Sequence, residues 1–497
     1  MKITIVGGGS AGWITAFLIS KSRPNIEVEL IESDTVNSVG VGEGTTGKFL
    51  EMFSRPIFGI DFTEMFISLK ALPKMGINFI NWSDGEDFIS PVGVSFSNNT
   101  YIDYASYVSS LKDINPTLSN LTSYLAHINY TNLYFDNNKI DFFDVGPGLH
   151  VDAQALIDFF KQKSIDNGVK HIIGTVVEVN NSNNKINYIR LNNAVIADSD
   201  FFIDCTGFSR QLIKSFSDVE WIDYSKYLPV NTGMPFKIKE TLNTSTKKPY
   251  TNSIAMDSGW VWEIPTGNKI GRGYVFSDLY SDKKKCIEEL ENYYQTDVDI
   301  IKEIKFSSGR ISKVLSGNCL SVGLSAAFFE PLQATSLHCT LHQIDEFINL
   351  FLQKENINLD DESVAAYNKK CAIMYEDMKD FIFIHYTGKK RNTPFWEYFT
   401  KIEYPEYVKK LLHLNDVRLL RDSDFKDYHG TPKGLWLPTI LGLGWINKNS
   451  ILKTIEADIN IDDYHNYILE YSEFVKSSKQ QYNFQTIKQI CNKYYDQ

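Results

Sequence analysis

Residues 3–19 read ITIVGGGSAGWITAFLI. A short apolar strand, Ile3 to Val6, runs into Gly7, Gly9 and Gly12 at G-x-G-x-x-G spacing, and a helix is expected to begin near Ala11. A dinucleotide pyrophosphate requires that order. Glycines let the backbone approach the phosphates, and the helix N-terminus offers N–H groups and the positive end of its dipole. The next apolar run, IEVELIES (26–33), predicts a second strand ending at Glu32. An acid about 20 residues past the glycines is placed to bind the adenosine ribose hydroxyls. Together these features predict an α/β fold with a dinucleotide site.

Composition narrows the function. The 497 residues are 43% hydrophobic, enough for a large core. Fifty basic against 61 acidic side chains give a net charge of −11, which leaves no basic surface to neutralise nucleic-acid phosphates. Cys205, Cys286, Cys319, Cys339, Cys371 and Cys491 lack C-x-x-C spacing, so neither a disulfide framework nor a metal site is expected. The start MKITIVGGGS reaches glycine too early for a signal-peptide core, and no run approaches the ~20 apolar residues of a membrane span. A cytoplasmic location is expected, and a homo-oligomer is left open.

The chain shows no internal repeat. The Asn-rich NNSNNK (180–185) lies between two β-branched runs and reads as a turn between strands. Residues 155–168 have helical spacing and a glycine stop. Leu341, Ile344, Phe347, Ile348 and Phe351 share one face of a helix expected over 341–355. From about Leu341 glycine is scarce while aromatics and charges dominate. We expect an FAD-binding core with inserted β-rich substrate segments over 1–340 and a mostly helical substrate region over 341–497, packed as one unit.

Two later stretches return to the nucleotide fold. ADSDFFIDCTGFSR (197–210) predicts a buried strand ending at Asp204, and GNCLSVGLSAAFFEPLQATS (317–336) predicts another, Leu320 to Gly323, running into a small-residue turn and a helix. Such late returns favour FAD over NAD.

GGGSAGW (7–13), GVGEGTT (40–46), IDCTGF (203–208), SGWVWEIPTG (258–267), GYVFS (273–277) and the 317–336 stretch together resemble the flavin-dependent halogenases of the tryptophan-halogenase type. The likeness runs in order from Met1 to about Thr335, and more loosely through HYTGKKRNTPFW (385–396). The specific element is Trp260, Trp262, Ile264 and Pro265. In that family this motif lies beside the tunnel between flavin and substrate and is held to exclude direct oxygenation at the flavin.

The resemblance implies that reduced FAD (FADH2) and O2 oxidise a halide ion to hypohalous acid, which travels to a small aromatic substrate. It also implies a separate flavin reductase, since the sequence shows no second complete glycine fingerprint with its own acid. The family's lysine stands eight residues before the tryptophan of an F-x-N-W stretch, which in KMGINFINW is Lys74, with Lys70 the rival. Cofactor contacts carry over to Gly7, Gly9, Ala11, Gly12, Trp13, Glu32, Gly42, Glu43, Val176 and Leu324. The halide carries over to Thr335 and Ser336. Ser336 replaces the usual glycine, so a different loop is expected if positive φ is needed there.

The largest departure from the pattern is at Gln333, where tryptophan-specific members carry a glutamate that assists the lysine. An amide is no comparable base near neutral pH. Glu330 and His338 are the candidate substitutes. The leading reading is a halogenase of an electron-rich aromatic. An aromatic hydroxylase or a catalytically decayed flavin-binding protein are the alternatives.

Overall fold

The computed structural model describes residues 1–34, 42–84, 86–92, 121–136, 139–142, 148–240, 246–267, 269–388, 392–418, 420–426, 433–445 and 481–484, with residues 115, 117, 431, 466, 469, 470, 473 and 477. The expected helical region past residue 445, the start of GVGEGTT and residues 389–391 of HYTGKKRNTPFW therefore lie largely or wholly outside the described residues.

The opening stretch folds as strand Lys2–Val6, a glycine turn and helix Ser10–Ser22, followed by strand Glu27–Glu32. These strands form the middle of a six-stranded sheet whose order is Lys170–Ile173, Glu27–Glu32, Lys2–Val6, Phe201–Asp204, Cys319–Ser321, Leu315–Ser316. The first five run parallel and the last antiparallel. Ile3, Ile5, Ile203 and Leu320 are fully buried, the continuous apolar run of a parallel sheet covered on both faces. Helix Ser10–Ser22 is buried along most of its length because the helices Ala153–Asp166 and Thr335–Phe351 pack on it. The carboxyl ends of the parallel strands converge on Val6, Glu32 and Asp204, where such folds hold ligands.

A second, eight-stranded sheet has the order Val298–Ile300, Thr232–Ile238, Ile270–Phe276, Gly259–Pro265, Tyr250–Met256, Gly76–Ile80, Phe88–Pro91, with Ile304–Lys305 beside Thr232–Ile238. Alternation along Gly259–Pro265 sends Trp260 and Trp262 to one face, while Val261 joins Met234, Phe236 and Tyr274 on the other. A small sheet of Glu43–Gly44, Gly148–Val151 and Leu72–Lys74 lies beside the nucleotide unit and ends in Lys74.

Local expectations hold with shifted bounds. The Asn-rich turn joins Val176–Ser182 to Lys185–Leu191, with Asn183 (φ 54°) and Asn184 (φ 58°) both left-handed, as a tight hairpin needs. The Ala153–Asp166 helix is capped by Asp152, which accepts from the N–H groups of Gln154 and Ala155, and stops before Gly168 at φ 87°. The helix expected over 341–355 is Thr335–Phe351. Its start follows the Pro331–Gln333 turn directly, and Leu352 leaves for a bridge with Ile357. Beyond it come helices Asp361–His385, Pro394–Lys401, Glu406–Val417 and Lys433–Gly442. One buried cluster runs from Ile3 in the first sheet to Leu443. Among the described residues no helix is long and apolar enough to cross a membrane.

Candidate active site

A cavity of about 790 Å³ opens at the carboxyl ends of the parallel strands. Gly7, Gly9, Ala11, Glu32, Gly42, Glu43, Val176, Leu324, Thr335 and Ser336 line it, with Lys74, Trp262 and Ile264. The glycines divide the work. A side-chain carbon at Gly7 (φ 121°) would fall 2.1 Å from the Cys205 carbonyl oxygen, and one at Gly12 would fall 1.9 Å from the Gly7 carbonyl oxygen. At Gly9 it would meet no protein atom within 4 Å. Gly7 and Gly12 are thus required by packing, and Gly9 keeps the cavity wall bare at the helix N-terminus. Gly9 caps Ser10–Ser22 with extended backbone and no side-chain bond, so the first-turn N–H groups remain available to an anion. These features fit a dinucleotide pyrophosphate.

Glu32 reaches the cavity already held. Lys161 Nζ donates to its Oε1 at 2.5 Å, His171 Nε2 lies 2.8 Å from the same oxygen, and Trp13 Nε1 donates to Oε2 at 3.2 Å. Trp13 is a correction to the expected contacts. It is fully buried behind Glu32, edge-on to His171, and does not line the cavity. Asp204 is structural: its carboxylate accepts from the N–H groups of Thr206, Leu212 and Ile213 and the hydroxyls of Thr206 and Ser325.

Lys74 ends its strand opposite Gly148 with 1% of its surface exposed, and its pKa is drawn down to about 7 by burial. No carboxylate pairs with it among the described residues. A side-chain carbon at Gly44 would approach Lys74 Nζ at 2.8 Å and Ala334 Cβ at 3.2 Å, so the glycine brings the amine against the Gln333–Thr335 segment. Lys70 lies outside the cavity lining, in a left-handed turn (φ 50°) whose carbonyl accepts from Gly267 N–H. His150, one strand over, is neutral: burial and then the Lys74 charge hold its pKa well below the usual value. Its Nε2 lies 2.8 Å from Thr251 Oγ1. Glu43 is pushed up to about 7 by burial, opposed by the Ser10 hydroxyl that donates to Oε1 at 3.0 Å.

The expected halide residues open the 17-residue helix Thr335–Phe351. The positive φ of this segment belongs to Ala334 (φ 54°), while Ser336 is ordinary helix. The concern that serine would reshape the loop at 336 is therefore corrected: a helical φ suits serine as well as glycine. Gln333 is buried just behind the cavity lining formed by Leu332 and Ala334, its Nε2 2.8 Å from His385 Nε2. Glu330 is fully buried with its pKa raised to about 8 by burial, and it accepts from the Tyr386 hydroxyl at 2.7 Å. His338 Nδ1 lies 2.9 Å from Thr46 Oγ1.

The tryptophan pair is split in role. Trp262 faces the cavity and crosses Gly273, where a side-chain carbon would lie 2.0 Å from the indole, so the neighbouring strand must be bare. Trp260 packs behind it at 6.2 Å and on Trp82 at 6.5 Å. Pro265 pairs with Ile270 at the strand end and, like Trp260, does not line the cavity.

A model of the tryptophan halogenase family matches residues 2–448. The chain belongs to the tryptophan halogenase family. It is a flavin-dependent halogenase, an oxidoreductase. The tryptophan 6-halogenase SttH of Streptomyces toxytricini is 27% identical over 478 residues, 90% of each chain. The tryptophan 7-halogenase RebH of Lentzea aerocolonigenes is 27% identical over 433 residues, 80% of this chain and 78% of that one. The crystal structure of SttH superposes with a TM-score of 0.85 over 98% of this chain and 99% of that chain at 24% identity, a likeness of fold.

The resemblance named Lys74, the glycines and Glu43 as candidates, but not Thr251 or His385. Glu43 was matched as a loop residue, and its burial as an ionisable group is a tertiary fact. Thr251, in the cavity wall, comes from a strand without a motif. His385 meets Gln333 across 52 residues, and no local pattern announces that contact.

Proposed function

We propose that this halogenase uses reduced FAD, O2 and halide to halogenate an electron-rich aromatic, with reduced FAD supplied by a separate reductase. The observation that carries the reading is Lys74: a buried amine without an acidic partner among the described residues, in the wall of the cavity that also holds the glycine turn and the Thr335 helix end. The backbone at Gly7, Gly9 and Ala11 would hold the pyrophosphate of FAD, with Gly12 letting the helix pack on the turn, and Glu32 would hold the ribose. Gly42, Glu43, Val176 and Leu324 would line its remaining length. FAD, when bound and reduced, supplies the oxygen activation that turns halide into hypohalous acid.

The protein's part follows from its own groups. N–H groups at Thr335 and Ser336 point from a helix N-terminus, which favours an anion such as halide. Trp262 and Ile264 wall the way from there with apolar surface that excludes water. Lys74, near pKa 7, is present as ammonium and as amine at neutral pH. The ammonium donates a hydrogen bond to hypohalous acid, and the amine is a nucleophile able to carry the halogen. The balance closes without a carboxylate: an aromatic C–H and HOX give C–X and water, the ring proton leaving with the hydroxyl oxygen. Gln333 then serves as a neutral polar group, and reactivity rests on the substrate's own electron density.

The test is product formation. Purified protein with reduced FAD, oxygen, bromide and a panel of phenols, anilines and indoles should yield products with bromine's paired isotope masses. A product heavier by one oxygen would make the protein a hydroxylase and sink the reading.

A further inference from the structure

His385 ends the helix Asp361–His385, fully buried among Phe79, Phe381 and Trp82, with ring centroids 4.8, 5.2 and 6.2 Å away. Its Nδ1 lies 2.8 Å from the Phe381 carbonyl oxygen, one helical turn back. A carbonyl only accepts, so Nδ1 carries a proton. Burial keeps the ring neutral, with its pKa lowered to about 4, and a neutral ring protonated at Nδ1 has only a lone pair at Nε2. The Gln333 amide nitrogen, 2.8 Å from that lone pair, must donate to it. The amide is therefore fixed end for end. Its NH2 faces the imidazole, and Oε1, which has no hydrogen-bond partner among the described residues, is the group left over. Gln333 directly precedes Ala334, which shares the Gly44 contact with Lys74 Nζ.

We propose that His385 is a positioning residue for halogen transfer, acting through Gln333: the locked amide presents Oε1 beside the lysine as a neutral acceptor for a phenolic O–H or ring N–H of the aromatic substrate. This rests on the halogenase reading above. The pair also shows why a carboxylate does not fit here. Glutamate at 333 would set an oxygen lone pair against the Nε2 lone pair, and one partner would have to bind a proton.

The experiment is a double-mutant cycle with His385→Phe, which keeps an aromatic ring in the box, Gln333→Ala, and both together. Halogenation of a phenol or indole is read as kcat and KM, alongside flavin oxidation measured on each protein. Each single variant should lose about tenfold in kcat, the size of one net buried hydrogen bond. The double variant should be no slower than Gln333→Ala, because His385 acts only through the amide. Multiplying losses would assign the ring to packing and overturn the proposal. A readout without turnover runs in parallel: ¹⁵N-histidine NMR at pH 7 should show His385 neutral and protonated at Nδ1, and Gln333→Glu should convert it to imidazolium. Protonation at Nε2 in the natural protein would overturn the proposal even if His385→Phe fails to fold. A natural protein that shows this tautomer yet halogenates no aromatic would sink the functional reading, and the role in transfer with it, while leaving the locked pair.

Discussion

Replacing Lys74 by methionine should stabilise the protein while removing its halogenation. A lysine drawn from its ordinary pKa of 10.5 to about 7 by burial has its charged form disfavoured by on the order of 5 kcal/mol. The sign follows from proton counting. Between pH 7 and 10.5 the unfolded chain binds the Lys74 proton and the folded chain does not, so natural stability rises with pH across that window. Below pH 7 the lysine is charged in both states and its full cost is present. Methionine fills similar volume without a charge, so Lys74→Met should gain up to about 5 kcal/mol at pH 6. That gain should shrink to nothing by about pH 10.5. With an unfolding entropy near 2.1 cal/mol/K per residue, this is roughly 5 °C in midpoint for a chain of this length. Glu43 lies in the same wall with a raised pKa, and its own slope, stability falling from pH 4.5 to about 7, is common to both proteins and cancels in the difference. His150 stays neutral through the window. Thermal unfolding of both proteins at pH 6, 7.5 and 9, with halogenation assayed on the same samples, is the measurement. A methionine variant less stable at pH 6, or a difference constant with pH, would refute the desolvated amine.

Other expectations follow from the same geometry. Lys74→Ala should abolish halogenated product while reduced-flavin oxidation and release of peroxide or hypohalite continue; undiminished halogenation would remove Lys74 from the mechanism. Gly9→Val should fold yet lose FAD affinity by at least tenfold, because its side chain enters bare cavity, whereas Gly7→Ala should fail to fold against the Cys205 carbonyl at 2.1 Å; circular dichroism and flavin titration separate the two. Free tryptophan should be a poorer substrate than phenols, anilines or activated indoles, with bromide and iodide used ahead of chloride. Efficient chlorination of free tryptophan at an electronically disfavoured carbon would show that another group replaces the carboxylate lost at Gln333. Mixed with FAD and NADH alone, the protein should leave NADH absorbance unchanged, and rapid oxidation would end the case for a separate reductase.

What the sequence determined by itself is what local sterics and short-range periodicity control. The strand from Ile3, the bare turn at Gly7 to Gly12, the acid at Glu32, the Asn-rich hairpin and the Ala153 helix each depend on φ/ψ preference and on neighbours a few residues away, so they are written in order along the chain. Lys74 was reached by matching the family's lysine-to-tryptophan spacing, although it ends the strand Leu72–Lys74 of one sheet while Trp82 follows the strand Gly76–Ile80 of another. Tertiary structure decided whatever depends on burial and on partners far away in sequence. It put Trp13 behind Glu32 rather than in the cavity, split Trp262 from Trp260, and moved positive φ from the expected Ser336 to Ala334. It alone set the charge states of Lys74 and Glu43, since desolvation depends on every strand packed around a side chain. It also brought His385 to Gln333, so that a glutamine read from the sequence as a missing acid became, in the fold, half of a neutral hydrogen-bonded pair.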